Sequence, residues 1–113
     1  PMTTALLTSH VLDLQTGRPA VGLAVRLYAG AAGAVLTTGV TDDDGRVGQW
    51  QDDVVLQQGE YRLVFVTGDW FERQGRTTLY PRITVEFSVA GTGQHYHIPL
   101  LLSPFGYSTY RGS

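Results

Sequence analysis

A chain of 113 residues with eight basic and ten acidic side chains, net charge −2 and a 42% hydrophobic fraction has material for one core. It has no wide basic field for nucleic acid or an anionic membrane. It contains no cysteine, which excludes disulfides, thiolate nucleophiles and sulfur-held metals, and all eight basic residues are arginine, which excludes lysine Schiff bases and Walker-type phosphate loops. No apolar run approaches bilayer length, and the start PMTTALLTSH lacks the basic-then-apolar design of a signal peptide. A single domain over residues 1–113, cytoplasmic in location, is therefore expected. A charged fraction of only 16% suggests a surface partly covered by other subunits.

Taken in chain order, the segments read as short strands between turn signals. ALLTSHVLDL (5–14) ends at Gln15-Thr16-Gly17-Arg18-Pro19. GLAVRLYA (22–29) alternates Leu23, Val25 and Leu27 on one face with Ala24, Arg26 and Tyr28 on the other. AVLTTGVT (34–41) runs into Asp42-Asp43-Asp44-Gly45-Arg46, where Asp-Gly signals a tight turn, and GQW (48–50) follows as a short strand. EYRLVFVT (60–67) and ITVEFSVA (83–90) are the clearest strands. Between them, DWFERQGR (69–76) is the one candidate helix, with Asp69 to cap its start and Gly75 its end. HYHIPLLL (95–102) and the tail from Phe105 to Arg111 complete about eight strands. This spacing predicts an all-β chain folded as an antiparallel β-sandwich.

With cysteine and lysine absent, chemistry falls to three histidines, the arginines, carboxylates and hydroxyls. Strand alternation puts Tyr96, Ile98, Leu100 and Leu102 on the core face and sends His95 and His97 together to the other. Pro99 removes a ladder donor and marks an edge or an interruption. His10 shares its parity with Thr8, Leu6 and Leu12, but alternation there is too poor to fix its face. Three readings of these histidines stand open. They are hydrogen-bonded surface or interface residues; or His-x-His with a distant third His holds zinc and makes a hydrolase. Or a neutral imidazole activates water without metal while an exposed arginine, Arg46 or Arg111, holds the oxyanion.

SHVLDLQTGRPA (9–20), TDDDGR (41–46), HYHIPLLLSPFGYSTY (95–110) and the terminal YRGS together resemble the transthyretin-related 5-hydroxyisourate hydrolase family. The resemblance spans nearly the whole chain and is most specific at its two ends. It implies a prealbumin-like (transthyretin-like) β-sandwich of two four-stranded sheets with one short helix, assembled as a homotetramer, a dimer of dimers with sites at the subunit interface. The implied activity opens the lactam ring of 5-hydroxyisourate to 2-oxo-4-hydroxy-4-carboxy-5-ureidoimidazoline in urate breakdown, with no metal or other cofactor. Residue by residue, the resemblance makes His10, Arg46, His97 and Ser113 catalytic, and gives His10, Arg46, Tyr110, Arg111 and Gly112 to substrate binding. His95 belongs to the motif without being the base. The alternatives are a small-ligand carrier of the transthyretin kind and a His-ligated zinc hydrolase on the same fold.

Overall fold

In the computed structural model, residues 7–91 and 93–113 are described; the sequence readings placed on residues 1–6 lie outside them. Among the described residues, two sheets enclose one apolar core, and one short helix lies in the connection between two strands of the same sheet. One sheet contains β1 (Leu7–Asp13), β2 (Arg18–Pro19), β5 (Arg46–Val47), β8 (Tyr96–Ser103) and β9 (Gly106–Thr109). The other contains β3 (Ala24–Ala29), β4 (Val35–Val40), β6 (Gly59–Phe65) and β7 (Ile83–Val89). No helix among the described residues is long and apolar enough to cross a membrane.

The second sheet runs β4-β3-β6-β7, all antiparallel, and it is the four-stranded sheet expected. The first runs β2-β1-β8-β9, with β5 as a fifth strand. It is still four strands across. β5 pairs with Ser9 and His10 while β2 pairs with Leu12 and Asp13, so two short strands share one edge of β1. One pairing departs from the antiparallel expectation: β1 and β8 run parallel, in register from Leu7↔Tyr96 to Asp13↔Leu102.

Alternation explains most of the core. Leu23, Val25 and Leu27 are buried as the pattern of 22–29 predicts, and Ile83 and Val89 are buried while Thr84, Glu86 and Ser88 are exposed. Val11, Leu63, Phe65, Leu100 and Leu102 add side chains with no exposure, each worth about 1.5–3 kcal/mol on burial. The expected strand 48–50 is absent, and pairing stops at Val47 instead. Trp50 turns inward over Gly39, where a Cβ would lie 3.0 Å from its ring, and its indole N–H donates to the Leu7 carbonyl at 2.8 Å.

The helix, α1, spans Thr67–Glu72 rather than 69–76. Val66 occupies the N-cap without a side-chain bond, so Asp69 is not the cap; it lies in the first turn and pairs with Arg73 at 3.3 Å. After Glu72 the chain tightens, as Gln74 and Arg76 both donate to the Phe71 carbonyl. Gly75 at φ +69° provides the left-handed stop the sequence signalled.

Arg76, just beyond, ties this region to β1. Its guanidinium forks onto Asp13 at 2.8 and 3.2 Å and lies 4.7 Å over the Phe71 ring. Burial pushes the Asp13 carboxyl up. The bond and charge of Arg76, with the N–H groups of Gln15 and Thr16, overcome that and hold it below the ordinary carboxylate value. The stability this supplies is present above about pH 3.9 and is lost as pH falls through the folded value. Arg76→Ala is expected to cost roughly 3 kcal/mol in urea melts at pH 7 and one protein concentration. Because the bond and charge of Arg76 no longer oppose burial at Asp13, the deficit narrows in acid; an equal deficit at both pH values would rule this account out.

Candidate active site

The parallel pairing builds one outer face from two strands. On β8, Tyr96, Ile98, Leu100 and Leu102 are buried and His97 stands half-buried on the opposite side. On β1, Leu7, Ser9, Val11 and Asp13 are buried, which leaves Thr8, His10 and Leu12 half-buried on the same outer face. This settles the face of His10 and explains why alternation was hard to read. Two inward positions are polar: Ser9 donates to the Ile98 carbonyl at 2.7 Å, and Asp13 is paired with Arg76.

Register then decides which groups meet. Thr8 lies opposite His97, and His10 opposite Pro99. The Thr8 hydroxyl sits 2.8 Å from His97 Nδ1 and 2.9 Å from His95 Nε2, joining the two imidazoles of the His-x-His pair. His97 Nε2 has no protein hydrogen-bond partner among the described residues.

Arg46 arrives by a turn. The Asp42 carboxylate accepts from the N–H groups of Asp44 (2.9 Å) and Arg46 (3.0 Å), and these bonds, the latter first, hold its pKa below the ordinary value. Gly45 adopts φ +78° and presses against β1, where a Cβ would be 2.5 Å from the Val11 carbonyl. The turn joins strands of different sheets, β4 and β5, and sets Arg46 in register with His10. Arg46 is exposed on the outer face.

The tail arrives through a gap. Pro99 has no N–H, and its ladder side faces β9, since Thr109 Oγ1 donates to its carbonyl at 2.7 Å. Regular pairing ends at Leu100↔Thr109, and the chain returns to β8 through one bridge, in which Gly112 N–H donates to the His97 carbonyl at 2.7 Å. Pro99 is thus the interruption of the two options its sequence left open. Gly112 lies flat against the imidazole: a Cβ there would overlap His97 Cδ2 and stand 3.3 Å from Pro99 Cγ.

A cavity of about 300 Å³ opens on this face, walled by Thr8, Arg46, Gly48, His95, His97 and Ser113. Of the residues singled out in the sequence, Arg46, His97 and Ser113 share this cavity, and Gly112 supports it. His10 stands beside it on β1, in register with Arg46. Tyr110 and Arg111 instead line a separate groove of about 290 Å³ with Val85 and Phe87 of β7. Arg111 lies 4.4 Å over the Tyr96 ring and donates to the His95 carbonyl at 3.3 Å. Among the described residues, no three His, Cys, Asp or Glu side chains gather closely enough to hold a metal ion. Thr8 was not recognised as part of the site: its parity with His10 was legible, but its bond to His97 depends on a parallel register between distant strands.

Burial pushes the His97 imidazole below the ordinary histidine value, and the positive charges of Arg46, His95 and His10 push the same way. The ring is therefore neutral near pH 7. An NMR titration is expected to place its midpoint below about 6.5. The unfolded chain takes this proton first, so the contribution to stability falls as pH drops from about 6.5 through the folded value. A midpoint above 6.5 would reverse that sign. Gly112→Ala is expected to break the bridge to His97, read as lost hydrogen-exchange protection of the amide at position 112 and shifted His97 ring signals, with the core amides unchanged.

The family model described as HIUase/Transthyretin family matches residues 7–112. A 5-hydroxyisourate hydrolase of Salmonella dublin is 46% identical over 110 residues, covering 96% of this chain and 81% of that protein. The 5-hydroxyisourate hydrolase 2 of Rhizobium meliloti (strain 1021) is 46% identical over 114 residues, 95% of each chain. Among solved structures, the Klebsiella pneumoniae 5-hydroxyisourate hydrolase superposes with a TM-score of 0.84 at 40% identity, covering 98% of this chain and all of that one. Sea bream transthyretin in complex with thyroxine superposes with a TM-score of 0.87 at 31% identity, covering 96% of this chain and 95% of that one. The backbone alone does not separate hydrolase from carrier; the side chains on the outer face must. By family match and by identity over nearly its whole length, the chain belongs to the HIUase/Transthyretin family.

Proposed function

We infer that this chain hydrolyses 5-hydroxyisourate, opening its six-membered lactam ring. The observation that carries this reading is that His97, its pKa lowered and its Nε2 without a partner among the described residues, lines one cavity with Arg46. An apolar carrier slot has no use for imidazole and guanidinium together. The relatives named 5-hydroxyisourate hydrolase at 46% identity support the same reading.

In the mechanism that fits this geometry, His97 Nε2 takes a proton from water as the water oxygen bonds to the lactam carbonyl carbon. The Arg46 guanidinium binds the carbonyl oxygen and stabilises the oxyanion that forms there. Collapse of the tetrahedral adduct breaks the carbon–nitrogen bond, and the imidazolium returns its proton to the departing ring nitrogen. The new carboxylic acid ionises to a carboxylate, and the ureido group, freed at one end, stays attached to the five-membered ring. His10, in register with Arg46, lies near enough to lower the His97 pKa and so assists the same proton transfers. Ser113 lines the cavity and offers its hydroxyl to bound substrate. No metal or other cofactor takes part in this scheme.

The assembly that suits it is a homotetramer of such single-domain subunits. Among the described residues, the outer strands β7 and β9 each leave one edge without a partner, and the groove between them is open. Pairing those edges with a second copy covers exposed Tyr107 and Tyr110, and face-to-face packing of two dimers encloses the His97 cavity. Tyr110 and Arg111 then reach substrate only where their groove adjoins a neighbouring subunit's cavity.

Freshly generated 5-hydroxyisourate, made from urate with urate oxidase, should lose its ultraviolet absorbance faster with this protein, before and after exhaustive chelation. Arg46→Ala is expected to lower turnover about 10²–10³-fold and His97→Ala about 10²–10⁴-fold, with unchanged elution on size exclusion. Near-normal turnover in correctly assembled Arg46→Ala would remove its oxyanion role. Loss on chelation with recovery on zinc would replace the mechanism, and no acceleration at all would leave a binding protein.

A further inference from the structure

The hydroxyl that joins the two imidazoles has one proton and two lone pairs, and this restricts what its neighbours can be. Both distances, 2.8 Å to His97 Nδ1 and 2.9 Å to His95 Nε2, are those of full hydrogen bonds. Two bare nitrogens cannot both be satisfied by a single O–H, so at least one ring must present an N–H to Thr8. A base at His97 Nε2 requires that Nδ1 carry the proton. Thr8 then accepts from His97 and donates its own proton to His95 Nε2, which leaves the proton of the neighbouring ring on Nδ1 as well.

We propose that Thr8 is a positioning residue: its hydroxyl holds the Nδ1–H form of His97, turns Nε2 to the cavity, and sets His97 as donor to it and His95 as acceptor from it. The inference rests on His97 acting as base. It assigns His95 a purpose that its exposed position leaves otherwise unexplained, as the acceptor of the hydroxyl proton. The arrangement also suits the cationic stage, because an imidazolium at His97 still donates Nδ1–H to Thr8 with no rearrangement. Thr8 is half-buried on a strand, where valine is equally at home, so the hydroxyl can be removed with shape retained.

The test compares Thr8→Val and Thr8→Ser in the assembled protein. Turnover of 5-hydroxyisourate is measured across pH, and long-range proton–nitrogen NMR of the histidine rings reports the tautomers. Arg46 on β5, His95 ahead of β8 and His10 on β1 are the charged or titratable groups bearing on His97; neither variant touches Arg46 or His10, and Thr8→Val also removes the bond to His95 that Thr8→Ser keeps. Thr8→Val should lower kcat about 10²-fold with KM within about twofold, and shift the acid limb of the profile. Its His97 nitrogens should lose the single Nδ1–H pattern. Thr8→Ser should keep both. Wild-type kcat and tautomer pattern in Thr8→Val would overturn the proposal, as would a Thr8→Ser protein as impaired as Thr8→Val. Failure of the base assignment reads differently: His97→Ala would keep its turnover, while the nitrogen pattern of Thr8→Val still decides whether Thr8 sets the tautomer.

Discussion

β1 and β8 lie side by side and run the same way over seven paired residues, although more than eighty positions separate them in the chain. Everything on the outer face follows from that alignment. A slip of one residue would turn His97 inward or move Thr8 away from it, since side chains alternate strictly along each strand. The register is held from the core side. Val11, Ile98, Leu100 and Leu102 are buried there, Ser9 bonds across to the Ile98 carbonyl, and Arg76 secures Asp13 at the far end. The apolar half of the two strands thus aligns the polar half.

Around this pair the remaining groups are brought in by backbone rather than by long side-chain reach. Gly45 lets the turn before Arg46 touch β1, and Gly112 lets the tail lie flat on His97. Pro99 withholds one ladder donor, and opposite it the tail leaves the sheet. Such placements are stiff because they are over-determined: the Asp42 carboxylate, the β5 bridge to His10 and the contact at Gly45 all act on one five-residue turn. Groups that must face a reacting carbonyl within a few tenths of an ångström are well served by anchors of this kind.

Much of this was legible in the sequence, for identifiable reasons. Alternation marked the core faces of 22–29, 83–90 and 95–102, and Asp-Gly marked the turn before Arg46. The family's motifs, at both chain ends and in TDDDGR (41–46), marked His10, Arg46, His97 and Gly112 as candidates. What was not legible depended on contacts between distant segments. The parallel direction of β1 and β8 leaves no local trace. Ser9 and Asp13 hid the inward face of β1, because their partners, Ile98 and Arg76, are far along the chain. Trp50 left the expected strand for a site over Gly39, and the helix began two residues early with no side-chain cap. Tyr110 and Arg111, read as one unit with Gly112, are separated from it by the break opposite Pro99.

The alternation of β8 carries a consequence for how such a protein can change over generations. Its inward residues answer to folding and its outward His97 to chemistry, and strand alternation holds the two on opposite sides of one backbone. Outward positions are therefore free to drift toward a different ligand while the scaffold is inherited intact. A thyroxine-bound carrier and a hydrolase can superpose on this chain almost equally well. On such a scaffold, ancestry is recorded on the inside of a strand and occupation on the outside.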